Sequence, residues 1–344
     1  MRLISIIIPC FNEEENVGLL FDRMQKISSR QWTIGETAAD VDLTKYNWEF
    51  IFVNDGSSDG TKERLAQLHD AHANVKVINL SRNFGKESAM LAGLDFSTGD
   101  AAIIIDSDLQ HPVETIPEMV YWWEQGYADV YGQRKSRGKE SVLRKSFSLL
   151  FYSVVDKIAD TPTMPNVGDF RLLDRRAINA LTSLRESQRY TKGLYCWIGF
   201  DKKGVEYQTA ERIRGKSSFN FLKLFNLAID GITSYTTKPL RIASIIGSLF
   251  SAGAFIYMVY IFIKTILYGD PVTGFPTLIC IILLLGGLQL LALGIIGEYI
   301  GHIYKETKNR PPYVVDTFMC RDDIGINLRK LNEEKKDGET VANL

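Results

Sequence analysis

Hydrophobic residues in the first part of the chain come in short runs. Residues 3–8, 49–54, 75–80 and 101–106 are mainly apolar, and each run is closed by polar or turn-forming residues. That is the pattern of strands buried on both faces. Between them, residues 14–28, 61–71, 86–96 and 113–125 carry apolar positions at helical spacing. The alternation predicts an α/β domain with a mostly parallel central sheet. Residues 29–48 form a polar excursion with no assignable role, and the residues after 315 read as a loose charged tail.

From residue 241 the pattern changes. Residues 241–267 have Lys264 as their only interior charge, and residues 277–303 are uncharged up to Glu298. A bilayer core needs about 20 apolar helical residues to cross it, so both segments are long enough to span, with some tilt. The linker between them has Asp270 and no basic residue, whereas Lys238, Arg241, Lys305, Lys308 and Arg310 flank the outer ends. The positive-inside rule then predicts a hairpin with both termini cytoplasmic. Tyr299 and Tyr304 fit an interfacial belt, and Lys264 reaches the opposite interface. Residues 219–233 read as an amphipathic helix lying in the interface plane. The organisation expected is a cytosolic domain over 1–215, a juxtamembrane helix over 216–238, a transmembrane hairpin over 239–304 and a cytosolic tail over 305–344. The opening apolar run is too short for a signal peptide and is followed at once by acidic residues.

Composition adds little until the chain is divided in this way. The 344 residues are 45% hydrophobic and 24% charged, with 40 basic against 41 acidic side chains. Near-neutral charge offers no footprint for nucleic acid. Four cysteines without a C-x-x-C pair exclude a disulfide scaffold or zinc knuckle. The balance nevertheless hides local clusters: residues 131–145 carry six basic side chains against one acid, and residues 202–216 carry five against two. In a domain tethered to a membrane such clusters suit an anionic leaflet or a lipid phosphate.

The candidate chemistry lies at the strand ends, where ligands of parallel sheets bind. Asp106 and Asp108, one residue apart after the fourth predicted strand, suit Mg²⁺ or Mn²⁺, which takes one or two carboxylates and completes its shell with substrate phosphates and water. The string Asp40-Val41-Asp42 has the same spacing but follows no apolar strand, and it reads as solvated loop. Asp55 and Asp59 sit in a Gly/Ser-rich turn. Asp59 is better placed to cap the following helix, and Asp55 to contact a ligand.

Four blocks, IPCFNEEEN, FVNDGSSDGT, SRNFGKESAMLAGLDFSTGD and IDSDLQHP, resemble family-2 glycosyltransferases of GT-A fold. NVGDFRLLDR, AERIRGKSSFN and GEYIGHIYKETKNRP narrow the likeness to polyprenyl-phosphate (bactoprenol) glycosyltransferases, similar also to dolichol-phosphate mannose synthases. The likeness implies a Rossmann-like GT-A domain followed by a two-helix hairpin. It implies that Pro9, Phe11, Asn12, Glu13, Asp55, Lys86, Asp106 and Ser107 hold the nucleotide sugar, and that Asp106, Asp108 and Gln110 form the metal site. It makes Asp169 the catalytic residue, the acid near the acceptor that is often read as the base, and places Arg134, Arg144, Arg212 and Lys216 on the acceptor's phosphate. The implied partners are a UDP-sugar, undecaprenyl phosphate, the bilayer and further copies of the chain, a tetramer among the options. The implied reaction is inverting transfer of a hexose, glucose before N-acetylglucosamine, at the cytoplasmic leaflet of the inner membrane. A processive polysaccharide synthase is disfavoured because no Q-x-x-R-W block is present. A non-catalytic nucleotide-binding scaffold is disfavoured by Asp106, Asp108 and Asp169.

Overall fold

The structure is a computed structural model. It describes residues 1–34, 40–134, 167–187, 189–208 and 274–321, with scattered positions between 245 and 267. Ten strands are described: β1 (Leu3–Cys10), β2 (Gln31–Thr33), β3 (Asp40–Asp42), β4 (Asn47–Asn54), β5 (Val75–Leu80), β6 (Ala101–Ile104), β7 (Asp129–Arg134), β8 (Val167–Asp174), β9 (Lys202–Tyr207) and β10 (Val315–Met319). The helices are α1 (Val17–Ser28), α2 (Thr61–Ala71), α3 (Lys86–Phe96), α4 (Ile116–Glu124), α5 (Arg175–Ser183), α6 (Thr191–Trp197) and α7 (Phe275–Thr307).

Eight strands form one sheet in the order β10-β5-β4-β1-β6-β8-β7-β9. β5, β4, β1 and β6 are mutually parallel, as the apolar runs predict, whereas β8 is antiparallel to both β6 and β7. Both faces of β1 are buried. Ile4, Ile6 and Ile8 pack with Val17, Leu20 and Phe21 of α1, Leu65 of α2 and Met119 of α4. Ile7 faces the other way, towards Met90 and Leu94 of α3 and Ile178 of α5. Gly93 permits that close approach, because a Cβ there would lie 2.2 Å from Ile7 Cγ2.

A buried polar knot closes the sheet's opposite end. Glu49 accepts from Ser5 Oγ at 2.5 Å, Lys76 Nζ at 2.7 Å, and the Thr98 N–H and hydroxyl at 2.8 and 2.9 Å. This explains a serine inside an otherwise apolar strand: each buried polar group has a partner.

Two readings of the sequence are corrected here. Residues 29–48 are not a plain excursion, and Asp40-Val41-Asp42 is not a loop: β2 and β3 pair as an antiparallel ribbon, with Val41 buried in the main core. One alternating side chain is enough to anchor so short a strand. The residues after 315 are not loose throughout, since β10 pairs antiparallel with β5 and covers the sheet edge, which would otherwise expose unpaired backbone groups.

α7 starts at Phe275 and has 33 residues, about 50 Å at 1.5 Å per residue. Among the described residues it is the one helix long and apolar enough to cross a membrane. The described positions between 245 and 267 are helical too, and Leu249, Ile256 and Tyr260 are exposed, as are Leu284, Leu290 and Leu293 of α7. Water does not stabilise apolar helices so displayed. The predicted interfacial helix at 219–233 lies outside the described residues.

Candidate active site

β1 is flanked by β4 on one side and β6 on the other, so the chain's winding direction reverses beside it, and the crevice expected at such a point opens beyond the strand ends. An open cleft of about 370 Å³ occupies that place, lined by Pro9, Cys10, Phe11, Glu13, Asp55, Asn83, Gly85, Lys86, Ala89, Asp106, Ser107 and Asp108. Seven of these are residues the sequence singles out as binding nucleotide sugar, and Asp108 is an eighth, from the metal set. Asn12 and Gln110 are not in the lining.

Sheet register brings two of the candidate carboxylates together. Ile104, the last residue of β6, pairs with Arg171 on β8, so Asp106, two residues past the end of β6, comes near Asp169 on β8. Lys86, the first residue of α3, bridges them: its Nζ lies 2.6 Å from Asp106 Oδ1 and 2.8 Å from Asp169 Oδ2. Burial pulls the Lys86 ammonium down, but the charges of Asp106 and Asp169 outweigh it and hold it above the usual lysine range. Burial pushes Asp106 up, and the hydrogen bond from His111 with the charge of Lys86 overcomes it, leaving that carboxyl well below its ordinary value. Asp169 is buried, and its Oδ1 has no hydrogen-bond partner among the described residues.

A second arm reaches Asp106 from the far side. Arg134 Nε donates to the Tyr207 hydroxyl at 3.1 Å, Tyr207 lies 3.0 Å from His111 Nδ1, and His111 Nε2 lies 3.3 Å from Asp106 Oδ2. A single direction of donation satisfies this chain: arginine to phenol, phenol to Nδ1, and Nε2–H to the carboxylate. His111 is stacked on Phe170 at 5.0 Å, which fixes its ring. Sequence reasoning names neither His111 nor Tyr207. His111 stands inside the IDSDLQHP block, a usable signal, whereas nothing in the chain order links Tyr207 to it. Arg144, Arg212 and Lys216 lie outside the described residues.

The loops are held by their own polar side chains. Asn12 has φ 57°; its N–H donates to Ser57 Oγ at 3.0 Å and its Oδ1 accepts from Ser58 N–H at 2.9 Å. Asn12 thus joins two loops. Asp55 accepts from the Phe84 and Gly85 amides at 2.7 and 2.9 Å, holding the loop that leads into α3 while it lines the cleft. Gly56 sits at φ 67°, and a Cβ there would lie 2.5 Å from the backbone of Arg82 and Asn83. Asp59 accepts from Thr61 N–H at 3.1 Å, but it stands one residue ahead of Gly60, which holds the cap position of α2. Ser107 Oγ donates to Pro9 O at 3.1 Å, and the Gln110 amide donates to Asp108 Oδ1 at 3.1 Å. Gln110 therefore orients Asp108 through its backbone, while its buried Nε2 has no partner among the described residues.

The electrostatics of the cleft bear on a metal. Glu13, Asp55, Asp106 and Asp108 line it against Lys86. Burial first, and then the charges of Asp108, Asp59 and Asp106, push Glu13 up; burial pushes Asp55 up despite its two amide partners and Arg82. A diphosphate entering so acidic a space needs added positive charge. The hard oxygen donors of Asp106 and Asp108 fit Mg²⁺ or Mn²⁺. Burial raises the Cys10 thiol, which argues against a thiolate nucleophile.

Comparison with known proteins gives the family. Residues 5–182 match the model of glycosyl transferase family 2, and residues 238–303 match that of the GtrB C-terminal hairpin. The putative glycosyltransferase CsbB of Bacillus subtilis is 43% identical over 313 residues, 91% of each chain. The SfII prophage-derived bactoprenol glucosyl transferase of Shigella flexneri is 40% identical over 312 residues, 91% of this chain and 97% of that one. Among solved structures, glucosyl-3-phosphoglycerate synthase of Mycobacterium tuberculosis, with Mn²⁺, UDP and phosphoglyceric acid, aligns with a TM-score of 0.45 at 20% identity, covering 67% of this chain and 76% of that one. The chain belongs to glycosyl transferase family 2 and is a glycosyltransferase of GT-A fold.

Proposed function

We propose that the enzyme transfers glucose from UDP-glucose to undecaprenyl phosphate at the cytoplasmic leaflet of the plasma membrane, inverting the anomeric carbon. The observation that carries this reading is the joining, in one chain, of an acidic strand-end cleft to an apolar helix long enough to span a bilayer, by way of Ser187 and Glu306. The bactoprenol glucosyl transferase relative and the hairpin match favour a polyprenyl-phosphate acceptor and a glucosyl donor. Both spans of the hairpin, cytoplasmic termini and self-assembly belong to the same proposal.

In this reading Asp106 and Asp108 hold Mg²⁺ or Mn²⁺, which when bound neutralises charge on the leaving diphosphate. Pro9, Phe11, Glu13 and Asp55 frame the nucleoside. Arg134 and the basic residues Arg144, Arg212 and Lys216 align the acceptor phosphate, an effect of orientation and charge together. A phosphate monoester with second pKa of about 6 is already largely a dianion at neutral pH and needs little deprotonation. Asp169, tied to Lys86, accordingly serves as an orienting carboxylate, with its Oδ1, which has no partner among the described residues, available to a sugar hydroxyl.

The test is transfer of label from UDP-[¹⁴C]glucose into the organic phase by membranes supplied with undecaprenyl phosphate and Mn²⁺. The unsubstituted chain labels the lipid and Asp106→Asn does not. Absence of lipid-phase label with the unsubstituted chain refutes the reading.

A further inference from the structure

From the last turn of α7 onward the chain is fastened to the catalytic domain. Glu306 Oε1 accepts from the N–H and the hydroxyl of Ser187, each at 2.8 Å. Further along, Tyr313 donates its hydroxyl to Asp95 Oδ2 at 2.5 Å, and Arg185 holds the same carboxylate through both terminal nitrogens at 2.6 and 2.7 Å. The Asp95 side chain is only 4% exposed. Phe318 meets Phe96 with ring centroids 4.8 Å apart, and Tyr313 packs against the cluster of Ile51, Val53, Ile78 and Leu80. Val314 O then accepts from Ser81 N–H at 2.9 Å, and Thr317 Oγ1 from Asn79 Nδ2 at 2.8 Å as β10 pairs with β5.

Two of these attachments lead directly to the cleft. Asp95 is the penultimate residue of α3, whose first residue is Lys86, so a single rigid helix connects the fastening to the bridged carboxylates. Ser81 begins the loop whose Asn83 and Gly85 line the cleft. A solvated ion pair would contribute little, but this carboxylate is buried, receives three donors and is gripped bidentately by arginine, the geometry that adds both strength and direction. Pairing of β10 alone would cover the sheet edge. The additional bonds at Asp95 fix where that strand begins relative to the end of the membrane helix.

We propose that Asp95, Arg185 and Tyr313 are positioning residues, a clamp that sets the pose of the cleft over the bilayer so that a phosphate presented at the membrane surface meets the donor site. The proposal rests on the polyprenyl-phosphate reading above. None of the three residues lines the cleft. Their loss therefore penalises an acceptor embedded in lipid and spares one that arrives from water.

The test uses the full chain in phosphatidylethanolamine/phosphatidylglycerol vesicles, with Tyr313→Phe and, independently, Arg185→Lys, which keeps the charge and loses the fork. Two acceptors are compared: undecaprenyl phosphate in the vesicles, and a water-soluble ten-carbon prenyl phosphate. Loss of one hydrogen bond to a buried carboxylate is expected to raise KM for the vesicle-borne acceptor about three- to tenfold. The kcat/KM of the soluble acceptor and the Kd of UDP stay unchanged. Equal loss on both acceptors overturns the proposal, because a merely structural defect would act on both. So does an unchanged KM for the vesicle-borne acceptor when faster amide exchange over residues 313–319 shows the clamp loosened. An unsubstituted chain that binds UDP yet transfers to neither acceptor refutes the polyprenyl-phosphate reading instead, a separate and recognisable result.

Discussion

Arg171 is among the largest fully buried side chains, and its partner Asp129 is wholly buried on the neighbouring strand. The guanidinium lies 2.9 and 3.1 Å from the two carboxylate oxygens, donates to Gly168 O at 3.3 Å, and sits 3.3 Å above the Tyr195 ring. Replacing Asp129 by asparagine keeps the shape and removes the charge, so a buried cation is left facing a neutral amide. Breaking a buried pair on one side costs about 3–5 kcal/mol. At about 2–4 °C per kcal/mol for a domain of this size, the midpoint of unfolding should fall by roughly 6–20 °C. The pair also anchors β8 two residues beyond Asp169, so turnover should fall with it. The assay is thermal unfolding of the detergent-solubilised full chain by circular dichroism. The double variant Asp129→Leu/Arg171→Met, which leaves no buried charge, should recover most of the loss, since apolar replacement of a whole buried pair is often neutral. A shift under about 2 °C for Asp129→Asn would refute the reasoning, because the same scaling leaves room for less than about 1 kcal/mol.

Other expectations follow from the same contacts. Lys86→Met leaves Asp106 and Asp169 facing each other, no further apart than the sum of their distances to Nζ; at an effective dielectric near 20 the repulsion is about 3 kcal/mol, so transfer should drop about a hundredfold, and a loss under tenfold contradicts it. Titration calorimetry with UDP should show Mn²⁺-dependent binding that EDTA abolishes and Asp108→Asn weakens; metal-independent affinity would count against the carboxylate site. Burial pushes Glu49 up, but Lys76, Ser5 and Thr98 outweigh it and hold the carboxyl below its usual 4.5. The stability it contributes is thus present above that value and lost as pH falls through the depressed one; unfolding midpoints should decline below 4.5, less steeply in Glu49→Gln, and parallel curves would exclude this source. Gly56→Ala forces a side chain into the backbone at Arg82 and Asn83, with a cost above about 1 kcal/mol and a raised KM for donor; wild-type kinetics would show that the loop gives way.

The parallel core was legible because each of its four strands is an apolar run closed by turn residues, and burial on both faces requires that pattern. β10 was not, because five residues with two exposed polar positions become a strand only through the edge of β5. β2 and β3 escaped for a similar reason, each having three residues. In the site, the acids at the strand ends could be read from position alone. The partnerships could not: Lys86 meets Asp169 and Tyr207 meets His111 across separations of 83 and 96 residues, and only sheet register determines them. Asn12 stands where the likeness places a ligand contact, yet its amide N–H and side-chain oxygen bond Ser57 and Ser58 of the neighbouring loop.

The most direct test of the central claim is the product itself. The purified full chain, in vesicles containing undecaprenyl phosphate and Mn²⁺, is offered UDP-glucose and UDP-N-acetylglucosamine in equal amounts, and the lipid fraction is analysed by mass and by the proton coupling at the anomeric centre. The account predicts undecaprenyl phosphate carrying one glucose in the β configuration, inverted from the α donor. A lipid fraction without sugar, a retained α linkage, or N-acetylglucosamine as the transferred group would contradict it.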